Sequence, residues 1–98
     1  MVEAPPITHL RADQRGAFIM ERDGRRLGEL TYTMAGARIT IHHTEVDTAL
    51  RGTGAARKLV DAAVQWVRTE NMGIESRCDY ASAVFAKTPA AYADVLAG

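Results

Sequence analysis

Apolar and polar residues alternate with a period of two through much of the first half of the chain. Leu30, Tyr32 and Met34 alternate with polar residues at 29, 31 and 33, which predicts a strand over about 27–34 with one buried face. Strands are also predicted at 7–10, 17–22 and 38–46 from their β-rich composition. Asp23-Gly24 and Ala35-Gly36 separate these runs and favour tight turns. The first half is therefore predicted to be an antiparallel meander.

The period changes after residue 55, where apolar residues follow the spacing of an amphipathic helix. They are Ala56, Leu59, Val60, Ala63, Val64 and Val67. Gly73 is suited to the left-handed position that ends such a helix. The sequence then predicts a last strand at 73–78 and a short helix at 81–87. A second helix follows, with Pro89 in its first turn. The strand–helix–strand unit from Arg38 to Cys78 predicts a parallel crossover. The fold class is therefore α+β, with a seam where the sheet changes from antiparallel to parallel pairing.

Length and composition narrow the possible classes of function. The 98 residues, 47% of them hydrophobic and 24% charged, predict one globular domain over 7–98 after a flexible lead-in at 1–6. Twelve basic and twelve acidic residues cancel, so we expect neither a nucleic-acid nor an anionic-membrane partner. Cys78 is the single cysteine, which excludes an intramolecular disulfide and a multi-cysteine metal site; no metal is expected. The sequence shows neither a signal peptide nor a membrane-spanning apolar stretch, so we expect a cytoplasmic protein.

A glycine-containing segment, Arg51-Gly52-Thr53-Gly54-Ala55-Ala56, lies between the predicted strand at 38–46 and the long helix. The first N–H groups of a helix have no intrahelical partners and carry partial positive charge. Small residues there let a phosphate reach the main chain, so the segment fits a diphosphate; the alternative is a purely structural tight turn. A Rossmann site fits poorly, because Arg57 occupies the third glycine position. A Walker loop fails because Lys58 lacks the required spacing and a following Ser or Thr.

At these residues the sequence resembles the GNAT superfamily of N-acetyltransferases. Arg51-x-x-Gly54-x-Ala56 is similar to its acetyl-CoA signature, Gln/Arg-x-x-Gly-x-Gly/Ala. The run His43-Thr44-Glu45-Val46, the late Cys78 and a Pro-containing C-terminal helix resemble a short subfamily of about this length that lacks the usual N-terminal helices. The resemblance spans roughly residues 16–96. It implies a GNAT-like fold with splayed central strands and an acetyl-CoA-dependent N-acetyltransferase acting on an unidentified amine.

The resemblance also implies where the cofactor, acetyl-CoA or coenzyme A, is held. Thr44, Glu45 and Val46 would line the pantetheine arm through their backbone. The diphosphate would be held by Arg51, Gly52, Thr53, Gly54, Ala55 and Ala56. The acetyl group would then lie near His43 and Cys78. A backbone N–H within 44–46 would donate to the thioester oxygen as negative charge develops on it.

His43 is the candidate base that would take a proton from the acceptor amine, because histidine titrates nearest neutral pH. In a regular strand, however, His43 continues the face of Ile39 and Ile41 and would be a hydrogen-bonded core histidine. A β-bulge would break that alternation. His42 would point to the opposite face. Glu45 is either a base acting through water or an exposed strand carboxylate.

Cys78 and Tyr80 are the candidate proton donors for the departing thiolate. Cys78 is otherwise a nucleophile that accepts the acetyl group, or simply a small buried side chain. Tyr80 is a candidate because many GNAT enzymes use a tyrosine near the cofactor sulfur; the alternative is a ring packed on the end of the sheet. Trp66 and Phe85 are assigned to packing. Direct transfer is expected, because one base suffices and the sequence shows no group that would activate Cys78.

The missing N-terminal helices bear on the acceptor site and on the alternatives to catalysis. In the superfamily those helices help to build the acceptor site, so here we expect an open cleft or one completed by dimerisation. The partner would be a small-molecule or peptide amine, and the protein a monomer or a weak homodimer. Two other functions stay open. One is a non-catalytic module that binds or senses CoA or acyl-CoA, and the other is a small interaction domain with a structural glycine turn.

Overall fold

The strands form one five-stranded sheet, and the helices follow from the second half of the chain. The computed structural model describes residues 5–96. Its strands, in sheet order, are β1 (Ile7–Ala12), β2 (Arg15–Arg22), β3 (Arg25–Ala35), β4 (Arg38–Val46) and β5 (Gly73–Ser76). Its helices are α1 (Ala55–Thr69), α2 (Asp79–Lys87) and α3 (Pro89–Leu96), with a 3-10 turn at Thr48–Leu50. The first four strands pair antiparallel, and β4 and β5 pair parallel. The predicted α+β fold class is confirmed.

Several strands and helices begin or end at residues other than those predicted. The edge strand extends to Ala12, and β5 ends at Ser76, two residues before the predicted end. The prediction that Gly73 caps α1 is wrong, because the left-handed residue is Asn71, with φ 55°. The N–H groups of Asn71 and Met72 donate to the carbonyl oxygens of Arg68 and Val67, which is the Schellman arrangement of a helix end. Gly73 instead begins β5, where it pairs with Arg38.

The core lies between the helices and one face of the sheet. The predicted apolar stripe of α1 is buried from Leu59 to Val67, whereas at its start Ala55 is buried and the predicted Ala56 is only partly so. The stripe packs on alternate residues of β2, β3, β4 and β5. Phe85 contributes to the same core, and Trp66 is partly buried against it, as the assignment to packing predicts. Pro5 is buried directly before β1, whereas residues 1–4 of the predicted lead-in lie outside the described residues. Within residues 5–96 no helix is long and apolar enough to cross a membrane.

The opposite side of the sheet, which we call the open face, carries no helix in the described part of the chain. All three helices share the single core on the other side. On β3, Leu30 and Tyr32 point into this core, so Thr31 and Thr33 point to the open face. Residues paired directly across neighbouring strands have their side chains on the same face. The pairing with Thr31 and Thr33 therefore identifies the open-face residues of the other strands.

Candidate functional site

A β-bulge in β4 decides which side chains reach each face of the sheet. Tyr32 pairs with Ile41, but the preceding residue of β3, Thr31, pairs with His43. His42 is thus the extra residue of the bulge, and the alternation of faces shifts by one after it. Beyond the bulge, Thr44 pairs with the buried Leu30 and lies on the core side.

Both neighbouring histidines lie on the open face as a result. The His43 Nε2 atom lies 2.8 Å from the Oε2 atom of Glu45, and the His43 side chain is 59% exposed. The His42 Nε2 atom lies 2.7 Å from the Oγ1 atom of Thr33. The structure therefore differs from the regular strand that would bury His43 and direct His42 to the other face. His43 and Glu45 form an accessible pair of side chains that can accept or donate a proton.

The parallel partner of β4 ends early and opens a gap beside the bulge. β5 pairs only with residues 38–41, and the last contact is the Arg77 N–H, which donates to the Ile41 carbonyl oxygen at 2.8 Å. On the other edge of β4, the Asp47 N–H donates to the Leu27 carbonyl oxygen at 2.8 Å. Backbone hydrogen bonds alternate along an antiparallel pair, so the N–H and C=O groups of Thr44 and Val46 point away from β3 and into the gap.

Cys78 lies on the core-side rim of this gap, directly before α2. Its Sγ atom lies 3.5 Å from the Oγ1 atom of Thr44, and the residue is 6% exposed. The hydroxyl of Ser76 donates to the Cys78 carbonyl oxygen and accepts from the Cys78 N–H, which holds this turn in place. Because Thr44 is on the core side, Cys78 and His43 lie on opposite faces of β4.

Tyr80 lies in the first turn of α2 and is 39% exposed. Its phenol oxygen has no hydrogen-bond partner among residues 5–96. The structure brings together Thr44 with Cys78 and His43 with Glu45, and it leaves Tyr80 as an accessible phenol two residues beyond Cys78.

The glycine loop, residues 51–56, leads from the gap to the start of α1. Gly52 and Gly54 have φ values of 79° and 81°, and a Cβ atom at either position would meet no other atom within 4 Å. Gly54 is the N-cap of α1, and its carbonyl oxygen accepts the first intrahelical hydrogen bond, from the Lys58 N–H. The N–H groups at 55–57 thus lack intrahelical acceptors. Open space, free N–H groups and the exposed Arg51 fit an anionic diphosphate.

Two residues hold the glycine loop relative to the sheet. The Asp47 carboxylate accepts from the Ala49 N–H at 2.9 Å and pairs with Arg25 at 3.3 Å. Leu50 is 2% exposed and anchors the loop in the core, and its carbonyl oxygen accepts the hydroxyl of Thr53. These contacts fix the loop against the sheet at its start, as the support of a binding site requires.

Comparison with known proteins decides the family. The model of the GCN5-related N-acetyltransferase family matches residues 17–95, which include the bulge, the gap and the glycine loop. The chain belongs to this family. The prediction of a GNAT-superfamily chain is confirmed.

Solved structures of a GCN5-like protein, a GNAT-family protein and a further acetyltransferase share this fold. A GCN5-like protein from Staphylococcus aureus is 28% identical, with a TM-score of 0.68 over 91% of this chain and 86% of that one. A second GNAT-family protein from Staphylococcus aureus is 21% identical over 65% of this chain, with a TM-score of 0.57. Nourseothricin acetyltransferase is 25% identical over 65% of this chain, with a TM-score of 0.55. The chain spans only 56% and 40% of the length of the last two. No curated protein is similar enough in sequence to count as a relative.

Sequence reasoning missed one residue of this site, Glu29, and one side-chain contact, that of Thr44. Glu29 pairs directly with Glu45 and so presents a second carboxylate on the open face. The Thr44 hydroxyl contacts Cys78, although only the backbone of Thr44 was expected to take part. The strand alternation at 27–34 contains the signal for Glu29, but its partner on β4 depends on the bulge. Nothing in the sequence signals the Thr44–Cys78 contact, since it joins residues 34 positions apart.

Proposed function

We propose that this protein transfers an acetyl group from acetyl-CoA directly to a primary amine, and that the transfer takes place in the gap between β4 and β5. The observation that carries the proposal is the gap beside the bulge at His42: the early end of β5 leaves the backbone groups of Thr44 and Val46 free to bind there, and the bulge places the His43 side chain on the open face next to it. The glycine loop begins five residues after the end of β4, so a diphosphate site and a transfer site follow one another along the chain.

Different residues of this chain would bind the diphosphate and the pantetheine arm of the cofactor. The free N–H groups at the start of α1 and the Arg51 guanidinium would bind the diphosphate. The backbone groups of Thr44 and Val46 would pair with the amides of the pantetheine arm. When bound, acetyl-CoA supplies the acetyl group as a thioester that a neutral amine can attack.

His43 is proposed as the base for the acceptor amine. A free alkylamine has a pKa of about 10.4 and is mostly protonated at neutral pH, so a proton must leave before attack. Glu45 accepts or shares a hydrogen bond with the Nε2 atom of His43. This contact orients the ring, as a carboxylate does for histidine in other acyl-transfer sites. Within the described residues the Nδ1 atom has no partner, so it is free to take the proton.

The other rim of the gap serves the departing thiolate. The Thr44 N–H points into the gap and would donate to the thioester oxygen. The neutral amine nitrogen forms a bond to the acetyl carbon as the carbon–sulfur bond breaks, and the acylated nitrogen loses its second proton to solvent. The CoA thiolate takes a proton from the Cys78 thiol, with Tyr80 as the second candidate donor, and the donor is reprotonated from solvent. Since Cys78 lies on the face opposite to His43, the base is not placed to activate it as a nucleophile. This separation favours direct transfer.

Thiol release from acetyl-CoA tests the proposal. With the purified protein we expect release to require a primary amine such as hexylamine, and 1-hexanol, which matches its length but lacks the amine, to give none. Acetyl-CoA at 100 times its dissociation constant should stabilise the fold by about 2.7 kcal/mol in a thermal-shift titration. Stabilisation without thiol release would favour the alternative function, a CoA-binding or acyl-CoA-sensing module. If acetyl-CoA causes neither thiol release nor stabilisation, both the acetyltransferase and the CoA-binding function are refuted.

A further inference from the structure

The open face carries a continuous row of side chains that ends at His43. Leu10 pairs with Ala17, Ala17 with Thr31, and Thr31 with His43, so one residue from each of β1 to β4 lies in line. Leu10 is 49% exposed, more than any other large apolar residue in the described part of the chain. Leu10, Ala17 and Thr31 of this row line a groove of about 520 Å³ together with Arg15, Thr33 and His42, and His43 follows Thr31 at the end of the row, outside the groove lining.

Charge on the two sides of this row is opposite. On one side, Glu29 and Glu45 are direct cross-strand partners, and like charges in that position repel each other. Glu29 has no ion pair within residues 5–96, and the partner of Glu45 is His43. On the other side lies Arg15, whose exposed guanidinium has no ion pair in the described part of the chain. A cation beside His43 would relieve the carboxylate repulsion, whereas a cation near Arg15 would meet a like charge.

The geometry sets the size of the molecule that fits between these charges. Arg15 pairs with Thr33, which places it two strands and two residues away from His43. With strands about 4.8 Å apart and about 3.4 Å per residue, their backbones are roughly 12 Å apart. The His42 side chain contacts Thr33, the cross-strand partner of Arg15, so the direct path between Arg15 and His43 is occupied. The short side chains of Thr31 and Ala17 leave room along the row instead, and Arg15 lies beside Ala17 on the open face of β2. An aliphatic body of moderate length fits along this row.

We propose that the acceptor is a primary amine on an aliphatic body whose far end is neutral or negatively charged. This inference rests on the proposed acetyl transfer and specifies its second substrate. The ammonium group would lie beside His43, Glu29 and Glu45, where it loses its proton. The hydrocarbon would cover Ala17 and approach Leu10. Arg15 is then a specificity residue, because it disfavours a second positive charge and can pair with a carboxylate.

Three amines of equal length separate these requirements: hexylamine, 6-aminohexanoate and 1,6-diaminohexane. We expect kcat/KM for the diamine to be at least about tenfold below that for either other amine, the scale of one unfavourable charge contact. Arg15→Glu should reverse the order of the diamine and 6-aminohexanoate. Lys87→Glu makes the same change of charge in the last turn of α2, away from the open face, and should leave the order unchanged.

Binding is measured separately from turnover. Titrating hexylamine into the CoA-bound protein should shift the NMR amide signals of Leu10, Ala17 and Thr31. Equal kcat/KM for all three amines, an order that Arg15→Glu leaves unchanged, or amide shifts confined to residues outside the row would overturn the inference while leaving acetyl transfer intact. Amide shifts along the row without thiol release from any amine would support the groove and contradict the proposed activity instead.

Discussion

Cys78 and His43 lie on opposite faces of β4. The thiol of Cys78 contacts Thr44 on the core side, and the imidazole of His43 contacts Glu45 on the open face. The bulge at His42 creates this division, because it turns His43 outwards and Thr44 inwards. Acetyl transfer needs a proton acceptor at the amine and a proton donor at the leaving thiolate. In this arrangement the proposed acceptor, His43, and the proposed donor, Cys78, lie on opposite sides of the gap.

The first prediction concerns the base. His43→Gln keeps a hydrogen-bonding side chain next to Glu45 but cannot take a proton at neutral pH. We expect kcat to fall by about 10²–10⁴-fold, the range for loss of a general base, with little change in the dissociation constant of CoA. His42→Gln is the matched control, because His42 shares the open face but contacts Thr33. Equal rates for the two variants in a steady-state thiol assay would reject His43 as the base.

The second prediction concerns the glycine loop. Gly54→Ala and Gly36→Ala both force a non-glycine residue into the left-handed region, at φ 81° and 59°, so each should lower the free energy of unfolding by about 1–2 kcal/mol. Only Gly54 borders the proposed diphosphate site. Gly54→Ala should raise the dissociation constant of CoA about tenfold, equivalent to about 1.4 kcal/mol, and Gly36→Ala should not.

Urea denaturation and isothermal titration calorimetry measure the two effects of these glycine variants. If both variants bind CoA like the unmodified protein, the loop is a structural turn and not a diphosphate site.

The third prediction concerns the rim of the gap at Thr44 and Cys78. Cys78→Ala and Thr44→Val each remove one partner of their contact while keeping the side chains small. We expect each to lower kcat about 2–10-fold, the effect of one hydrogen bond worth about 0.5–1.5 kcal/mol. In the double variant the decrease in kcat, expressed as a free energy, should be smaller than the sum of the two single effects, because the two groups act together. Complete loss of turnover in Cys78→Ala, with the fold intact by circular dichroism, would point to an acetyl-cysteine instead.

The fourth prediction concerns His9, which lies on the core side of β1. Its Nε2 atom lies 2.6 Å from the Tyr32 hydroxyl, and its ring stacks on Phe18. Burial, and then the neighbouring Arg11 guanidinium, lower the pKa of His9 below its ordinary value of 6.5. As the pH falls through 6.5 the unfolded chain takes up this proton before the folded chain does. The free energy of unfolding therefore decreases on acidification and continues to do so down to the lowered pKa of the folded state.

A variant isolates this effect of His9. His9→Gln retains a polar partner for Tyr32 but does not titrate, so it should lose less stability than the unmodified protein between about pH 7.5 and about pH 5.5. Urea denaturation at the two pH values gives the comparison. Identical losses in the two proteins would mean that the proton on His9 does not control the acid sensitivity.

The sequence predicts most of this fold because local patterns and local chemistry agree. The period of two in β3 and the apolar stripe from Ala56 to Val67 each correspond to an element with one buried side. The glycines at 52 and 54 mark the loop because the left-handed region favours glycine. The error at Gly73 arises because Asn71 also tolerates left-handed backbone and comes earlier in the chain.

The site is less predictable, because one inserted residue reverses the face on which the following side chains of β4 lie. The pairing of Ala35 with Arg38, extended without a bulge, would place His42 opposite Thr31 and bury His43 opposite Leu30. The bulge moves His43 opposite Thr31 and brings Glu45 opposite Glu29. Strand alternation alone does not reveal where a bulge falls. The sequence therefore identifies His43, Thr44 and Cys78 as candidates, but their division between two faces requires the structure.

A single-turnover reaction tests the central claim most directly. The protein, in excess over acetyl-CoA, is mixed with hexylamine and quenched at successive times, and mass spectrometry follows the amine and the intact protein. We predict that acetylated hexylamine forms in equal amount to free CoA, with no acetylated protein at any time. Acetylated Cys78 that appears before the acetylated amine would contradict direct transfer, and free CoA without acetylated amine would contradict the proposed activity itself.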